Sequence, residues 1–302
     1  MELRHKAESD HEFASAPLLQ PTSEIQQIPA DYLPLRFSNK YVNGPRHLLP
    51  AWREVESRLQ SADRVALFMD FDGTLVPIAP WPDQVRLSPR MREHVESIAR
   101  KDVMVGIVSG RRLADLRSRA AVGGIWYVGT HGYFLRRSGG PTVTLLNPEQ
   151  KAEMAHVSRR LARELRNIPG VLLESKQATV AVHYRHASRP NYRKVFASIR
   201  RLLQDRPQLS LLPGKKVWEL FPGASVSKWT AIKYILELEQ RLRKSPCLVV
   251  YLGDDAMDER VFHQMQGISV VVGRHRRTAA EFFLNSTAEV EQFLERFSEV
   301  LT

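Results

Sequence analysis

Cysteine is almost absent. The 302 residues hold one, Cys247, so no internal disulfide can form. It lies in the apolar run Cys247-Leu-Val-Val-Tyr251, where a buried, inert thiol is expected rather than a reactive one. No apolar stretch approaches the ~20 residues of a membrane-spanning helix. Met1 to Asp10 is studded with charge and has no apolar signal-peptide core. Internal repeats and low-complexity tracts are missing too. Together these absences lead us to expect a cytoplasmic protein that neither enters nor lies on a membrane.

Acidic residues are outnumbered, 33 against 44 Lys and Arg, for a net charge of +11. The excess is local: between Arg136 and Gly214 there are 15 Lys and Arg against 5 Asp and Glu, or +10. These basic residues are spread along amphipathic helices rather than gathered in one basic helix or tail. That reads as a solvated face rather than a nucleic-acid groove. With 43 % hydrophobic and 25 % charged residues, the chain suits one large or two modest globular domains.

The most informative stretch is Val65-Ala-Leu-Phe-Met-Asp70-Phe-Asp72-Gly73-Thr74-Leu75. Its apolar run has the length and composition of a strand buried on both faces, as in a parallel sheet. It ends in two carboxylates, and ligands of such sheets bind at the carboxyl ends of the strands. Gly73 permits the bend that turns both Asp70 and Asp72 into one pocket. Crowded carboxylates repel unless a cation or a proton intervenes, so the pair is costly as mere structure.

Along the chain, residues 1–50 are polar and proline-rich, an expected disordered leader, with a short amphipathic helix at 52–59. Three prolines, Pro77, Pro80 and Pro82, stiffen the loop after the first strand. Ser88-Pro89 starts a helix whose buried stripe is Met91, Val95 and Ile98. Buried strands follow at 102–108, 125–128, 248–252 and 268–272, separated by helices, the last at 287–301. The alternation predicts an α/β fold, a doubly wound parallel sheet. It is interrupted by an α+β unit with strands at 133–137 and 142–146, helices at 148–167 and 190–204, a hairpin at 171–184 and a last strand at 216–220. The expected domains are a core of residues 51–134 and 221–302 and an inserted cap of 135–220, hinged near 133–136 and 221–224.

Four strand ends carry polar clusters: Asp70/Asp72, Ser109, Thr130/His131, and Asp254/Asp255/Asp258. In a parallel sheet they converge on one rim. Asp254 supplies the third carboxylate needed for a hard cation such as Mg²⁺, which takes few carboxylates together with water and a substrate phosphate. A cation, a hydroxyl, backbone N–H groups and a lysine make a phosphate site.

In their order, Asp70-Phe-Asp72-Gly-Thr, Ser109, Lys228 and Gly253-Asp254-Asp255 resemble the four motifs of the haloacid-dehalogenase (HAD) phosphatase superfamily. The insert falls where that superfamily places its larger caps. More narrowly, several phrases resemble the trehalose-6-phosphate phosphatase family over residues 64–295: Val-Ser-Gly-Arg111, Gly-Thr-His-Gly132, Glu174-Ser-Lys176 with His183-Tyr-Arg185, Lys216-Val-Trp-Glu219, and Gly-Asp-Asp-Ala-Met-Asp-Glu259. The resemblance implies a Mg²⁺-dependent hydrolysis of trehalose 6-phosphate, with a trehalose-6-phosphate synthase acting in the same pathway. It implies Asp70 as nucleophile, Asp72 as acid and base, and Ser109 and Lys228 on the phosphoryl oxygens. Asp70, Asp254 and the Asp72 carbonyl would hold the metal, with Asp255 and Asp258 orienting the ligands. Glu174, Lys176 and Glu219 would read the sugar, with Arg111 and His131 near the cleft. One departure is Trp229, where the family commonly has glycine; its indole is expected to pack against the cap or narrow the pocket. The rival readings are a phosphatase for sucrose phosphate or a glycosyl-glycerate phosphate, a non-catalytic regulatory domain, and a nucleic-acid binder.

Overall fold

Val65–Asp70 (β2) forms a strand buried along its whole length, as its unbroken apolar run requires. The computed structural model describes residues 44–79, 84–214, 216–223, 226–243, 246–273 and 277–301. Most of the expected leader (1–43), the loop residues Pro80 and Pro82, and the side chain of Leu242 lie outside the described residues.

In chain order the large sheet takes β1 (Arg46–His47), β2, β3 (Val103–Val108), β4 (Trp126–Gly129), β5 (Phe134–Arg137) and β6 (Thr142–Thr144). A second unit holds β7 (Leu172–Ser175), β8 (Val180–His183), β9 (Ser210–Gly214) and β10 (Val217–Phe221). The large sheet is completed by β11 (Leu248–Gly253), β12 (Ile268–Val272) and β13 (Phe282–Leu284), giving the order β1-β13-β12-β11-β2-β3-β4-β5-β6. All pairs from β1 to β4 are parallel, while β5 and β6 are antiparallel.

Side chains alternate across β2. Leu67 and Met69 face one apolar cluster with α2 (Pro89–Ala99) and α8 (Thr287–Val300). Ala66 and Phe68 face the other, with α6 (Lys228–Arg243) and α7 (Ala256–Gln264). The predicted start of α2 holds: the Ser88 hydroxyl accepts the Met91 N–H at 3.1 Å, with Pro89 in the first turn. Trp229 packs in the core rather than on the cap. It is buried in the second cluster, because the first turn of α6 lies on the sheet.

Three expectations change. The strands expected to open the insert are β5 and β6, which hydrogen-bond onto β4 as the edge of the large sheet. The crossing into the cap therefore falls at 145–147 rather than 133–136; a turn after Gly129 reverses the chain before it leaves the sheet. Residues 46–47, assigned to the leader, pair with Phe282 and Phe283. Finally, β9 was not foreseen, since the proline-broken segment Leu209–Gly214 lacks clean alternation.

The cap is a four-stranded antiparallel sheet, β7-β8-β10-β9. Val180, Val182, Trp218 and Leu220 face α4 (Pro148–Leu165) and α5 (Arg189–Asp205). Period-2 alternation turns the intervening residues the other way. The register puts Glu174, Ala181 and Glu219 in one row on that opposite face.

Candidate active site

The neighbouring strands β11, β2, β3 and β4 end side by side, so Asp254, Asp70, Ser109 and Thr130–His131 share one rim. The juxtaposition on which the sequence reading depends is present. Lys228, fully buried at the start of α6, donates to Asp70 Oδ1 at 2.6 Å and to Asp258 Oδ1 at 2.7 Å. Carboxylate oxygens of Asp70, Asp254 and Asp258 lie within 4.8 Å of one another.

Each carboxylate has a different setting. Asp258 is saturated: besides Lys228, it accepts the Tyr251 hydroxyl at 2.6 Å and the N–H groups of Asp254 and Asp255 at 2.9 and 3.0 Å. It fixes the loop that presents Asp254 rather than offering free lone pairs. Asp255 caps α7, accepting the N–H groups of Met257 and Asp258 at 2.8 and 3.0 Å, and with Asp258 completes a capping box. Asp254 Oδ1 is buried without a hydrogen-bond partner. Burial, with the charges of Asp258 and Asp255, pushes this carboxyl up to about 8. Burial likewise raises Asp70 well above the ordinary range, opposed by Lys228. For Lys228 burial alone would lower the ammonium, but Asp255, Asp258 and Asp70 outweigh it and hold it protonated.

An unpartnered buried oxygen beside a second buried carboxylate fits a hard divalent cation, whose charge would relieve the repulsion. Gly73 makes room for the Asp254 carboxylate: a Cβ there would stand 2.0 Å from Asp254 Oδ2. The tight turn after β2 closes with Gly73 N–H donating to Val76 O at 2.7 Å.

Asp72 projects beside this pocket. Arg111 grips it with two bonds, Nε to Oδ2 at 2.7 Å and Nη2 to Oδ1 at 2.6 Å. Arg111, expected among the substrate-binding residues, has its guanidinium engaged here by Asp72 and by Asp115, at 3.1 Å. Ser109 is buried at the end of β3, its hydroxyl accepting the Arg111 N–H at 3.1 Å, which leaves its own proton to donate.

The cap residues meet the core here. Glu219 accepts from Lys176 Nζ at 3.1 Å and Thr179 Oγ1 at 2.7 Å, and pairs with His131 Nε2 at 3.3 Å. Burial works against the Glu219 charge, but His131, Lys176 and Thr179 outweigh it and hold the carboxyl far below its ordinary range. His131 sits at φ 57°, in a left-handed turn that points the ring toward the cap. Lys176 also reaches Gly110 O at 3.3 Å. Glu174 stands apart from this cluster, paired with His183 at 3.1 Å.

Sequence reasoning missed Tyr251, Thr179 and Asp115. Tyr251 left a signal, since a phenol inside a fully buried strand needs a partner. Thr179 and Asp115 left none, because an isolated hydroxyl or helix carboxylate finds its partner only through the fold.

A doubly wound core with its acidic cluster at the strand ends and a cap inserted in the chain defines the HAD class of fold. A family model described as trehalose-phosphatase matches residues 68–291, and the chain belongs to that family. It is 36% identical over 251 residues to the trehalose-phosphate phosphatase of Mycobacterium tuberculosis H37Rv, a match covering 80% of this chain and 63% of that one. The chain thus spans about 63% of the length of the mycobacterial relatives it matches. The C-terminal domain of Candida albicans trehalose-6-phosphate phosphatase superposes with a TM-score of 0.69 at 20% identity, covering 84% of this chain and 98% of that one. The C-terminal domain of a Candida albicans trehalose synthase regulatory protein shares the fold as well, with a TM-score of 0.63 at 13% identity over 80% of this chain and 97% of that one. No helix among the described residues is long and apolar enough to cross a membrane.

Proposed function

We propose that this chain is a phosphatase that hydrolyses trehalose 6-phosphate to trehalose and phosphate. The carrying observation is the meeting of Asp70, Lys228 and the partnerless Asp254 oxygen at one buried point under the cap. Asp70 attacks phosphorus as the bond to the sugar oxygen breaks, forming an aspartyl-phosphate. Asp72 gives the leaving oxygen its proton, then takes one from the water that releases phosphate; such help contributes roughly 10²–10⁴-fold. Ser109 donates to a phosphoryl oxygen, and Lys228 holds Asp70 and balances its charge. A magnesium ion held by Asp70, Asp254 and the Asp72 main-chain carbonyl would screen the anionic nucleophile from the anionic phosphate. Glu174, Lys176 and Glu219 line the cap face where the sugar hydroxyls bind, and a site built of such donors and acceptors rejects analogues sharply.

The shared fold of a regulatory protein makes a non-catalytic role the second reading. The presence of both Asp70 and Asp72 favours catalysis. A cytoplasmic location and a synthase supplying the substrate complete the proposal. The test is phosphate release with Mg²⁺ from trehalose 6-phosphate beside sucrose phosphate, a glycosyl-glycerate phosphate and simple hexose phosphates. We expect trehalose 6-phosphate to lead the panel, and D70N to abolish turnover without unfolding the chain. Equal rates across the panel would refute the substrate, and wild-type turnover by D70N would refute the nucleophile.

A further inference from the structure

Four consecutive core residues, Ser109 to Arg112, carry more contacts than a phosphate loop requires. Arg111 holds both Asp72 oxygens, at 2.6 and 2.7 Å. Its two chain neighbours are both bound by the tip of the β7–β8 hairpin of the cap. Lys176 Nζ donates to Gly110 O at 3.3 Å, and Arg112 Nη2 donates to Ser175 O at 2.5 Å. The loop is also tied to the core, through Thr130 N–H to Arg111 O at 2.7 Å, His131 N–H to Ser109 O at 3.0 Å and Ser109 N–H to Val128 O at 2.9 Å. The guanidinium of Arg111 has little freedom of its own, packed 5.7 Å above the Phe71 ring and bonded to Asp115.

We infer that Arg111 is a positioning residue for Asp72, and that the cap sets it by holding Gly110 and Arg112 on either side. This rests on the phosphatase reading and adds to it a coupling: Asp72 is aligned for proton transfer only while the hairpin tip is docked. A loop tied to the cap at two points transmits the movement of the cap to that grip. Arg112, exposed and bonded through its side chain to the cap at Ser175 O, is the part of the linkage that can be changed alone.

The experiment compares two esters at saturating concentration in single turnovers, following release of the leaving group. Trehalose 6-phosphate needs a proton from Asp72, whereas 4-nitrophenolate departs without one. For R112A we expect release from trehalose 6-phosphate to slow about five- to tenfold, with 4-nitrophenyl phosphate unchanged, and R112K to restore most of the loss. R111Q should slow release from trehalose 6-phosphate more, by about 10²-fold. An unchanged 4-nitrophenyl phosphate rate doubles as proof of folding. Equal slowing of both esters, or a weaker affinity for the sugar phosphate with an unchanged saturated rate, overturns the coupling. Failure of the unmodified chain to hydrolyse either ester overturns the phosphatase reading instead.

Discussion

Replacing Gly73 with alanine tests how tightly the acidic pocket is built. Gly73 sits at φ +87°, in the left-handed region. A side chain there costs about 1–2 kcal/mol in backbone strain alone. The added Cβ would also stand 2.0 Å from Asp254 Oδ2 and 2.3 Å from its Cγ. Carbon and oxygen approach to about 3.3 Å without overlap, so the Asp254 carboxylate must retreat by more than about 1 Å. It has little room, because Asp258 Oδ2 anchors the Asp254 N–H at 2.9 Å. A misplacement of about 1 Å in a catalytic constellation costs about 10²-fold in rate. We therefore expect G73A to lose about 10²-fold in kcat/KM for trehalose 6-phosphate, and its affinity for Mg²⁺, measured by calorimetric titration, to fall with it. Gly124 provides the control. It has φ +75° but nothing within 4 Å of its added Cβ, so G124A bears the backbone strain without the clash. Both variants should lose about 2–8 °C in Tm, and only G73A its activity. A G73A enzyme that stays within about threefold of the parent in rate and Mg²⁺ affinity would refute the reasoning.

Three further outcomes follow from the same geometry. D258N loses an acceptor for two of the four donors on Asp258 and removes a buried charge opposite Lys228. It should destabilise the fold by about 3–5 kcal/mol, read by denaturant unfolding; a loss below about 1 kcal/mol would contradict the four-bond role. Asp254 and Asp258, raised to about 8 and about 6 chiefly by burial, bind protons more tightly folded than unfolded. Without metal, their contribution is greatest below the ordinary Asp value of about 4 and is lost as pH rises through about 6 and about 8. Tm in a chelator should thus fall across that window and flatten with Mg²⁺; a rise would contradict the assignment. Alanine at Lys176 or Glu174 should raise KM for trehalose 6-phosphate about 10- to 100-fold while sparing a small phosphate ester, and equal losses on both would remove the sugar site from the cap.

Much of this molecule follows from its residues read in order. An apolar run bounded by Asp70 and Asp72, then strand–helix alternation, is enough for a parallel sheet with acids at one rim, because buried strands need both faces covered and crossovers between them. Period-2 alternation in the hairpin likewise settles which cap residues can face the core. What the chain order does not contain is partnership across it. Asp72 and Arg111 are 39 positions apart, and Glu219 and His131 are 88 apart; their pairing depends on strand order, which local pattern does not encode. The edge strands β5 and β6 were misplaced for the same reason: a short alternating strand fits either sheet, and the neighbour it hydrogen-bonds to decides. So the residue types around Asp70 dictate what chemistry is available here. Only the folded chain decides that Asp258 is a saturated anchor, that Asp254 keeps an oxygen free, and that the cap holds the loop carrying Arg111, since these depend on distances between segments far apart in the chain.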